Sequence, residues 1–357
     1  MHNSNSTSLS KRNIENILIV RLSAIGDIVM ASGFLTALRA HYPKARISWL
    51  TQPECASLLE DNPNLDEVIA WPRKQWSDLW DKRSFLQLRA NIKTFSAELT
   101  KRQFDLAIDL QGLLKSGWLS YLSGAEYRIG LGSREGAQLL MHQVLDRTAA
   151  SDPLIGSEYR SALEQLGIDA GPFRMHIGIA QGTIESLSSK FPGLDEDATD
   201  LIICPFTTRP QKHWPEAHWE ELCQILVASG RKVIVLGGPG DKPAGARLAE
   251  LEGVTSLAGQ TSLQEAAALI SRSRGIIGVD TGLTHMGHAF RVPTLCLFGS
   301  TRPYLNPDNP VGEVIYLNKD CAPCRRHPTC GGAFHCLGDI EPQQVKEAFI
   351  QLERRIG

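Results

Sequence analysis

The stretch Gly278-Val279-Asp280-Thr281-Gly282-Leu283-Thr284-His285 joins a short apolar run to a segment with helical periodicity. The run Gly275–Val279 has the length and composition of a buried strand, and a helix is expected to begin directly after it. The start of a helix presents free backbone N–H groups and a partial positive charge, which favour a bound phosphate group. With its hydroxyl and imidazole groups, this junction predicts a site for a nucleotide diphosphate.

A second junction of the same kind lies near the other end of the chain. Residues 21–27, RLSAIGD, follow an apolar run at 17–20 and open an amphipathic segment at 28–39. Two such junctions predict two half-sites. Neither has the G-x-G-x-x-G spacing of the dinucleotide-binding fingerprint, so the sequence disfavours NAD binding.

Short apolar runs alternate with segments of helical period in two blocks of similar size, which predicts two α/β domains with parallel sheets. A length of 357 residues is sufficient for two cores. The turn residues Gly171-Pro172 and Pro192-Gly193 indicate a connection between them. The predicted segments are a disordered leader at 1–13, an N-terminal domain at 14–178, a linker at 179–200, a C-terminal domain at 201–340 and a C-terminal helix at 341–357.

The composition is that of a soluble globular enzyme, with 42% hydrophobic and 21% charged residues. A net charge of −2 argues against a nucleic-acid-binding protein. No apolar run is long enough to span a membrane, and the polar leader has no signal-peptide core, so a cytosolic protein is expected. Residues 1–150 carry 18 Lys and Arg against 15 Asp and Glu, a mild indication of an anionic ligand.

Asp27 follows the glycine of the N-terminal junction, and its position has two interpretations. It either caps the helix by accepting hydrogen bonds from the first backbone N–H groups, or it acts as a general base on an acceptor hydroxyl. In the second domain, Thr207, Thr208 and Lys212 lie in the loop PFTTRPQKHWP at 205–215. These side chains either hold a pyrophosphate or belong to an ordinary polar loop.

Further polar candidates lie in the first domain. Residues 109–116, DLQGLLKS, form either a binding turn or a capped helix start. The loop cations Arg73, Lys74 and Arg134 either meet carboxylates or phosphates or are simply solvated.

Four of the eight cysteines follow the spacing C-x2-C-x5-C-x5-C, and they are Cys321, Cys324, Cys330 and Cys336. Zinc accepts four thiolates, but two spacers of five residues are not those of a standard zinc finger. Reduced thiols in a small loop, a structural zinc and disulfides all stay open, and catalysis by these thiols is not expected. The other four cysteines lie in or beside apolar segments, which predicts buried thiols.

Three stretches resemble the ADP-heptose:lipopolysaccharide heptosyltransferases, family nine of the glycosyltransferases. They are ILIVRLSAIGDIV at 17–29, FTTRPQKHWP at 206–215 and VDTGLTHMGHAFRVPTLCLF at 279–298. The resemblance covers roughly residues 16–300. It implies the GT-B fold, with two Rossmann-like doubly wound α/β domains that face each other across a cleft. The loop at 207–215 and residues 109–116 look like the branch that adds the first heptose to Kdo.

By position, the resemblance makes Asp27 the general base that activates a Kdo hydroxyl for attack at the anomeric carbon, with inversion and without a metal. The donor-binding residues that it implies are Thr207, Thr208, Lys212, Asp280, Thr281, Gly282 and His285. The acceptor-binding residues that it implies, which would meet Kdo carboxylates or lipid A phosphates, are Arg73, Lys115 and Arg134.

The implied partners are ADP-heptose, Kdo-lipid A and the cytosolic face of the inner membrane, which a monomer would contact peripherally. Three features depart from the first-heptose pattern: GGPGD at 237–241 lacks its usual tryptophan and glutamate, Thr261 replaces an apolar adenine contact, and the cysteine tail is additional. The alternatives are therefore a family member with another acceptor, such as the first heptose, or another nucleotide sugar. An epimerase of sugar nucleotides and a non-catalytic regulator of polysaccharide synthesis are more distant alternatives.

Overall fold

The structure is a computed structural model that describes residues 12–133, 135–150, 153–192, 194, 201–304 and 310–355. The chain divides into two compact units. The first comprises Met1–Asp152 and Gly156–Gly178, and the second comprises Pro153–Ile155 and Ile179–Gly357. Within the described ranges, no helix is both long enough and apolar enough to cross a bilayer.

The first unit is built on one parallel sheet. Its described strands are β1 Asn16–Val20, β2 Arg46–Thr51, β3 Glu67–Ala70, β4 Leu106–Asp109, β5 Tyr127–Leu131 and β6 Gln143–Leu145. Its described helices are α1 Ile25–Ala31, α2 Gly33–His41, α3 Pro53–Ala56, α4 Arg73–Asp81, α5 Phe85–Thr100, α6 Leu114–Leu122 and α7 Ser157–Gln165. The strands pair in parallel in the order β3-β2-β1-β4-β5-β6.

The second unit repeats this plan. Its described strands are β7 Leu201–Cys204, β8 Val233–Val235, β9 Val254–Ser256, β10 Gly275–Val279, β11 Thr294–Phe298 and β12 Gly312–Tyr316. Its described helices are α8 Thr183–Lys190, α9 Glu216–Ala228, α10 Lys242–Leu248, α11 Leu263–Arg272, α12 Gly282–Phe290, α13 His335–Gly338 and α14 Pro342–Arg354. The parallel order β9-β8-β7-β10-β11-β12 is that of the first unit. The predicted pair of doubly wound Rossmann-like units is confirmed.

The central strands β1, β4, β7 and β10 are almost wholly apolar because both of their faces are covered. In β1, Ile17 and Ile19 belong to one hydrophobic cluster, whereas Leu18 and Val20 belong to the cluster on the opposite face. A strand buried on both faces is a continuous apolar run rather than an alternating one. This is why the short runs in the sequence identify these strands.

The helix predicted after β1 is divided into α1 and α2 at Ser32. The Ser32 hydroxyl donates a hydrogen bond to the carbonyl of Val29 at 2.6 Å and accepts one from the backbone N–H of His176 at 2.9 Å. A Cβ on Gly33 would lie 2.5 Å from the ring of Phe173. The Ser32 hydroxyl competes for the hydrogen bonds of the helix. The segment that contains Phe173 and His176 packs against the break between α1 and α2. His176 and Phe173 lie 140 or more positions away in the sequence, so periodicity did not reveal their contacts.

Several elements were not predicted. Within 61–105 and 123–178 the structure has β3, β5, β6, α4, α5 and α7, and the predicted connection at 179–200 includes α8. In α8, Lys190 forms an ion pair with Glu265 at 2.9 Å, which ties the helix to the second unit. The missed strands have only three to five residues, and α5 exposes most of its surface. Short or mostly exposed elements carry a weak periodic signal.

Gly278 in β10 allows α12 to pack closely against the sheet. A Cβ at this position would lie 2.2 Å from Oγ1 of Thr284 and 2.9 Å from Cβ of Cys204. We predict that Gly278→Ala lowers the free energy of unfolding of the second unit by about 2 kcal/mol, because the core is overpacked. The matched control is Gly240→Ala, since no heavy atom lies within 4 Å of a Cβ there. Equal urea midpoints for the two variants would contradict the prediction.

Candidate active site

The strand order brings the loops that follow β7 and β10 side by side. These strands are neighbours, with Cys204 opposite Gly278. In a doubly wound sheet this is the point where the chain changes direction, and ligands bind there beyond the carboxyl ends of the strands. The loop after β7 contains Lys212, and Asp280 follows β10 directly. The ammonium nitrogen of Lys212 lies 2.5 Å from Oδ2 of Asp280.

Asp280 is the centre of a polar network. The hydroxyl of Thr301 donates a hydrogen bond to its Oδ2 at 2.6 Å, and Nε2 of His285 lies 3.1 Å from its Oδ1. The other ring nitrogen of His285 lies 2.9 Å from the hydroxyl of Tyr304. Burial by itself would raise the pKa of Asp280, but His285 and Lys212 hold it well below its ordinary value. The carboxylate is therefore ionised, and it fixes the positions of both the lysine and the histidine.

The N-terminus of α12 lies within this network. The helix begins at Gly282 after Thr281, whose backbone is extended. The first helical hydrogen bond runs from the N–H of His285 to the carbonyl of Thr281, so the preceding N–H groups point out of the helix end. These N–H groups can donate to a phosphate group. The ammonium group of Lys212, whose charge is balanced by Asp280, lies beside them, with its nitrogen 3.3 Å from the backbone carbonyl oxygen of Asp280.

Thr207 and Thr208 lie in the loop between β7 and Lys212. Thr207 is half-buried and Thr208 is exposed. Nε2 of His213 lies 2.8 Å from the carbonyl oxygen of Thr207, a contact that closes the loop. All seven predicted donor residues therefore lie on the two loops that follow β7 and β10 or at the start of α12.

In the first unit, Asp27 is the third residue of α1 rather than the residue before the helix. Its Oδ2 accepts a hydrogen bond from the N–H of Ala24 at 3.1 Å and lies 2.7 Å from Nη2 of Arg21. The buried Arg21 also donates to the carbonyl of Leu110 at 3.0 Å. The Asp27 side chain is 41% exposed. It thus closes the helix start and is still accessible to a ligand.

The turn after β4 is shaped by the buried carboxylate of Asp109. This group accepts hydrogen bonds from the N–H of Gln111 at 2.8 Å, the N–H of Gly112 at 3.0 Å and the hydroxyl of Ser116 at 2.8 Å. Burial raises the pKa of Asp109. Asp109 thus fixes the turn before α6, whose N-cap residue is Leu113, and holds Ser116 in the first turn of the helix. A binding role for Lys115 stays a prediction.

Three cations of the first unit converge near this turn. Lys115 is half-buried on α6, and Arg73 begins α4 and is exposed. Burial, followed by the positive charges of Arg73 and Arg21, lowers the pKa of Lys115, while Glu135 opposes this shift. An anionic ligand would stabilise the charge of Lys115, which burial and the neighbouring cations disfavour. Arg134, the other predicted acceptor residue, lies outside the described residues.

Three residues that contact the predicted site residues were not predicted from the sequence, and they are Arg21, Thr301 and Tyr304. Arg21 has a readable signal, because it is the first residue after a buried strand in the quoted junction. Thr301 and Tyr304 follow β11, the strand next to β10. Their contacts with Asp280 and His285 depend on that pairing, and the sequence around them contains no corresponding motif.

The cysteines are all free thiols in the structure. Cys336 is buried, and the other three members of the C-terminal group are half-buried. Across the described part of the chain, no cluster of three or more His, Cys, Asp and Glu residues is arranged to hold a metal ion.

Comparison with known proteins identifies the family. The model of glycosyltransferase family 9 (heptosyltransferase) matches residues 92–333. The chain is 30% identical over 333 residues to lipopolysaccharide heptosyltransferase 1 of Pseudomonas aeruginosa, covering 88% of this chain and 87% of that protein. It is 27% identical over 357 residues to lipopolysaccharide heptosyltransferase 2 of Salmonella typhimurium, covering 94% and 98%.

Among solved structures, the Escherichia coli heptosyltransferase WaaC with ADP aligns with a TM-score of 0.70 at 25% identity. The alignment covers 94% of this chain and 99% of that one. The two doubly wound units have the architecture of a glycosyltransferase, and the chain belongs to glycosyltransferase family 9, the heptosyltransferase family. The family resemblance seen in the sequence is confirmed.

The Lys212–Asp280 pair can be tested by a double-mutant cycle. We predict that Asp280→Asn lowers the free energy of unfolding by about 3 kcal/mol, because it leaves the largely buried Lys212 charge without its partner. Adding Lys212→Met should restore part of the loss, so the two changes are not additive.

The control cycle uses Lys319→Met and Asp339→Asn, an ion pair of similar length on the exposed surface. We expect its coupling to be too small to measure by urea denaturation. Additive effects in the Lys212–Asp280 cycle would show that the two groups do not stabilise each other.

Proposed function

We propose that the protein transfers heptose from ADP-heptose to a Kdo residue of the lipopolysaccharide inner core, with inversion at the anomeric carbon. The main support for this proposal is the Lys212–Asp280–His285 network at the start of α12 in a chain of family 9. Relatives named as lipopolysaccharide heptosyltransferases 1 and 2 support the lipopolysaccharide core as the destination of the sugar. We infer that the reaction takes place at the cytosolic face of the inner membrane.

The donor half of the proposed site is in the second unit. The diphosphate of ADP-heptose would bind to Lys212, to the hydroxyls of Thr207 and Thr208, and to the N–H groups at the start of α12. Asp280 keeps Lys212 in place at 2.5 Å, and Thr281, Gly282 and His285 surround the same helix end. When the bond to the sugar breaks, ADP gains negative charge. The lysine and the helix N-terminus stabilise that charge as it develops.

The chemical step in this proposal uses Asp27 as the general base. Its carboxylate takes the proton of an acceptor hydroxyl while the hydroxyl oxygen attacks the anomeric carbon of heptose. The bond between that carbon and the β-phosphate oxygen breaks, and ADP leaves with the electron pair. Attack from the face opposite the leaving group inverts the anomeric configuration. Arg21 supports the reaction by holding Oδ2 of Asp27 at 2.7 Å.

The cations of the first unit favour Kdo as the acceptor. Kdo carries a carboxylate, whereas a heptose residue carries none. Arg73 and Lys115 together present charge that a carboxylate or a lipid A phosphate would neutralise. The second candidate acceptor is the first heptose, because a relative named heptosyltransferase 2 aligns with 94% of this chain.

The function is tested by incubating the purified protein with ADP-heptose and Kdo-lipid A, and measuring ADP release and the mass of the lipid product. We expect one heptose to be added to Kdo. Addition only to an acceptor that already carries one heptose would support the second candidate. Conversion of the sugar nucleotide without an acceptor would indicate an epimerase, and the absence of any turnover with a panel of nucleotide sugars would indicate a non-catalytic protein.

The substitution Asp27→Asn tests the general base without changing the residues of the proposed donor site. We predict that kcat falls about 100-fold or more, because the amide cannot take the proton. The Kd for ADP should change less than about twofold, since a base acts mainly in the transition state. The matched control is Glu60→Gln, the same change at an exposed carboxylate of the first unit. Near-normal turnover by folded Asp27→Asn, checked by thermal unfolding, would show that Asp27 is not the base.

A further inference from the structure

An exposed apolar cluster lies where α4 turns into α5. Trp80 is 63% exposed, Phe85 is 52% exposed and Leu86 is 85% exposed. The rings of Trp80 and Phe85 pack edge to face with their centroids 5.4 Å apart. We call residues 80–86 the hairpin tip. Contiguous exposed aromatic and aliphatic side chains usually mark an interaction surface, whereas single exposed residues do not.

The apolar side chains of the tip are not core-facing residues that have turned towards solvent. Leu88, Ile92 and Phe95 on the inner side of α5 pack against the hydrophobic cluster of the sheet. Trp76 of α4 packs edge to face against Phe95, with centroids 5.5 Å apart. The two helices thus bury one side in the normal way. The tip carries additional apolar side chains that have no such role.

The tip lies at the same edge of the sheet as the proposed acceptor residues. The end of α5 is fixed at the opposite edge, because Nε of Arg102 donates to Glu67 at the start of β3, at 3.0 Å. The 16 residues of α5 span about 24 Å, whereas the four residues of β4 span about 13 Å. The helix runs antiparallel to the strands, so its first residues reach the carboxyl edge. Arg73 at the start of α4 lies at this edge as well.

The surface around the tip is strongly basic. Between residues 73 and 93 the chain has six Lys and Arg against two Asp, although the whole protein has a net charge of −2. All six cations are exposed, and they are Arg73, Lys74, Lys82, Arg83, Arg89 and Lys93. Apolar side chains surrounded by exposed cations are typical of segments that bind the interface of an anionic bilayer.

The turn places one of these cations at a position that favours glycine. The N–H of Ser84 donates to the carbonyl of Leu79 at 2.8 Å, and the N–H of Arg83 donates to the carbonyl of Trp80 at 2.9 Å. This pair of bonds is the Schellman motif, and its left-handed residue is Arg83, with φ of 56°. Glycine fits such a backbone without steric cost. The arginine therefore contributes nothing to the turn that glycine would not, and its charge is available for a ligand.

We propose that the hairpin tip docks on an anionic phospholipid bilayer. Trp80, Phe85 and Leu86 enter the interface, while Lys82 and Arg83 meet lipid phosphates. The inference rests on the proposed function in one respect: an acceptor anchored in a membrane explains why the docking surface lies beside Arg73. The binding of lipid itself requires neither donor nor acceptor, so it can be tested separately.

The first measurement is sedimentation of the full-length protein with vesicles of phosphatidylethanolamine and phosphatidylglycerol, and with vesicles of phosphatidylcholine. We expect binding to the anionic vesicles and weak binding to the neutral ones. The triple variant Trp80→Ser, Phe85→Ser, Leu86→Ser should lower the partition coefficient about tenfold or more. Leu139→Ser is the matched control, because Leu139 is 86% exposed in the same unit and lies outside the tip.

Arg83→Gly tests the charge without endangering the fold. We expect weaker binding to anionic vesicles, together with a melting temperature that is equal to or above that of the wild type, because glycine suits the left-handed position. Absence of vesicle binding by the wild type would overturn the proposal. Equal binding by the wild type and the triple variant, or association of the wild type with itself through the tip instead of with lipid, would also overturn it.

The transfer assay distinguishes docking from the proposed function. The triple variant should use a soluble acceptor without acyl chains at the wild-type rate and lose activity only on acceptor embedded in vesicles. Loss of activity on both acceptors would contradict a docking role. A wild type that binds vesicles through the tip and transfers no heptose would refute the proposed function and leave the docking proposal intact.

Discussion

The parallel pairing of the first and fourth strands of each unit is the constraint on which the rest of the structure depends. Because β1 pairs with β4, and β7 with β10, the loops that follow the two strands of each pair leave the sheet at the same edge. The strand order reverses between the two strands of each pair, so these loops diverge and leave room for a ligand between them. Residues far apart in sequence therefore meet at one place in each unit. Gly278 is required for this arrangement in the second unit, because the absence of a side chain lets α12 start close to the sheet.

The two sites handle charge in opposite ways. In the second unit, Lys212 already has a carboxylate partner, and that carboxylate is held by His285 and Thr301 as well. Such a network costs desolvation energy and gives a fixed geometry in return. In the first unit, Lys115 and Arg73 raise each other's electrostatic energy. This difference agrees with the proposed reaction. The proposed donor site is preorganised to stabilise ADP as it leaves, and the proposed acceptor site has unbalanced positive charge that would attract an anionic acceptor.

The first unit combines three features at one edge of its sheet: the proposed base, the acceptor cations and the exposed hairpin tip. All three follow from where the strands end and from the length of α5 relative to β4. A long antiparallel helix in front of a short strand must extend past the sheet, and its exposed end is free to carry apolar and basic side chains. The exposed end of the helix thus provides a surface for a lipid-anchored acceptor, while the inner face of α5 stays packed on the core.

The sequence by itself determined the α/β class, the main strands around β1, β4, β7 and β10, and the loops that carry Asp27, Lys212 and Asp280. It did so because strands buried on both faces are continuous apolar runs, and because the residues of each loop are adjacent in the chain. Only the tertiary structure decided that Asp27 pairs with Arg21 and not only with backbone N–H groups, that Asp280 connects Lys212 to Tyr304 through His285, and that Ser32 interrupts the first helix. Those contacts join groups whose distance in space is set by strand order and helix packing, and no local pattern of residues encodes that distance.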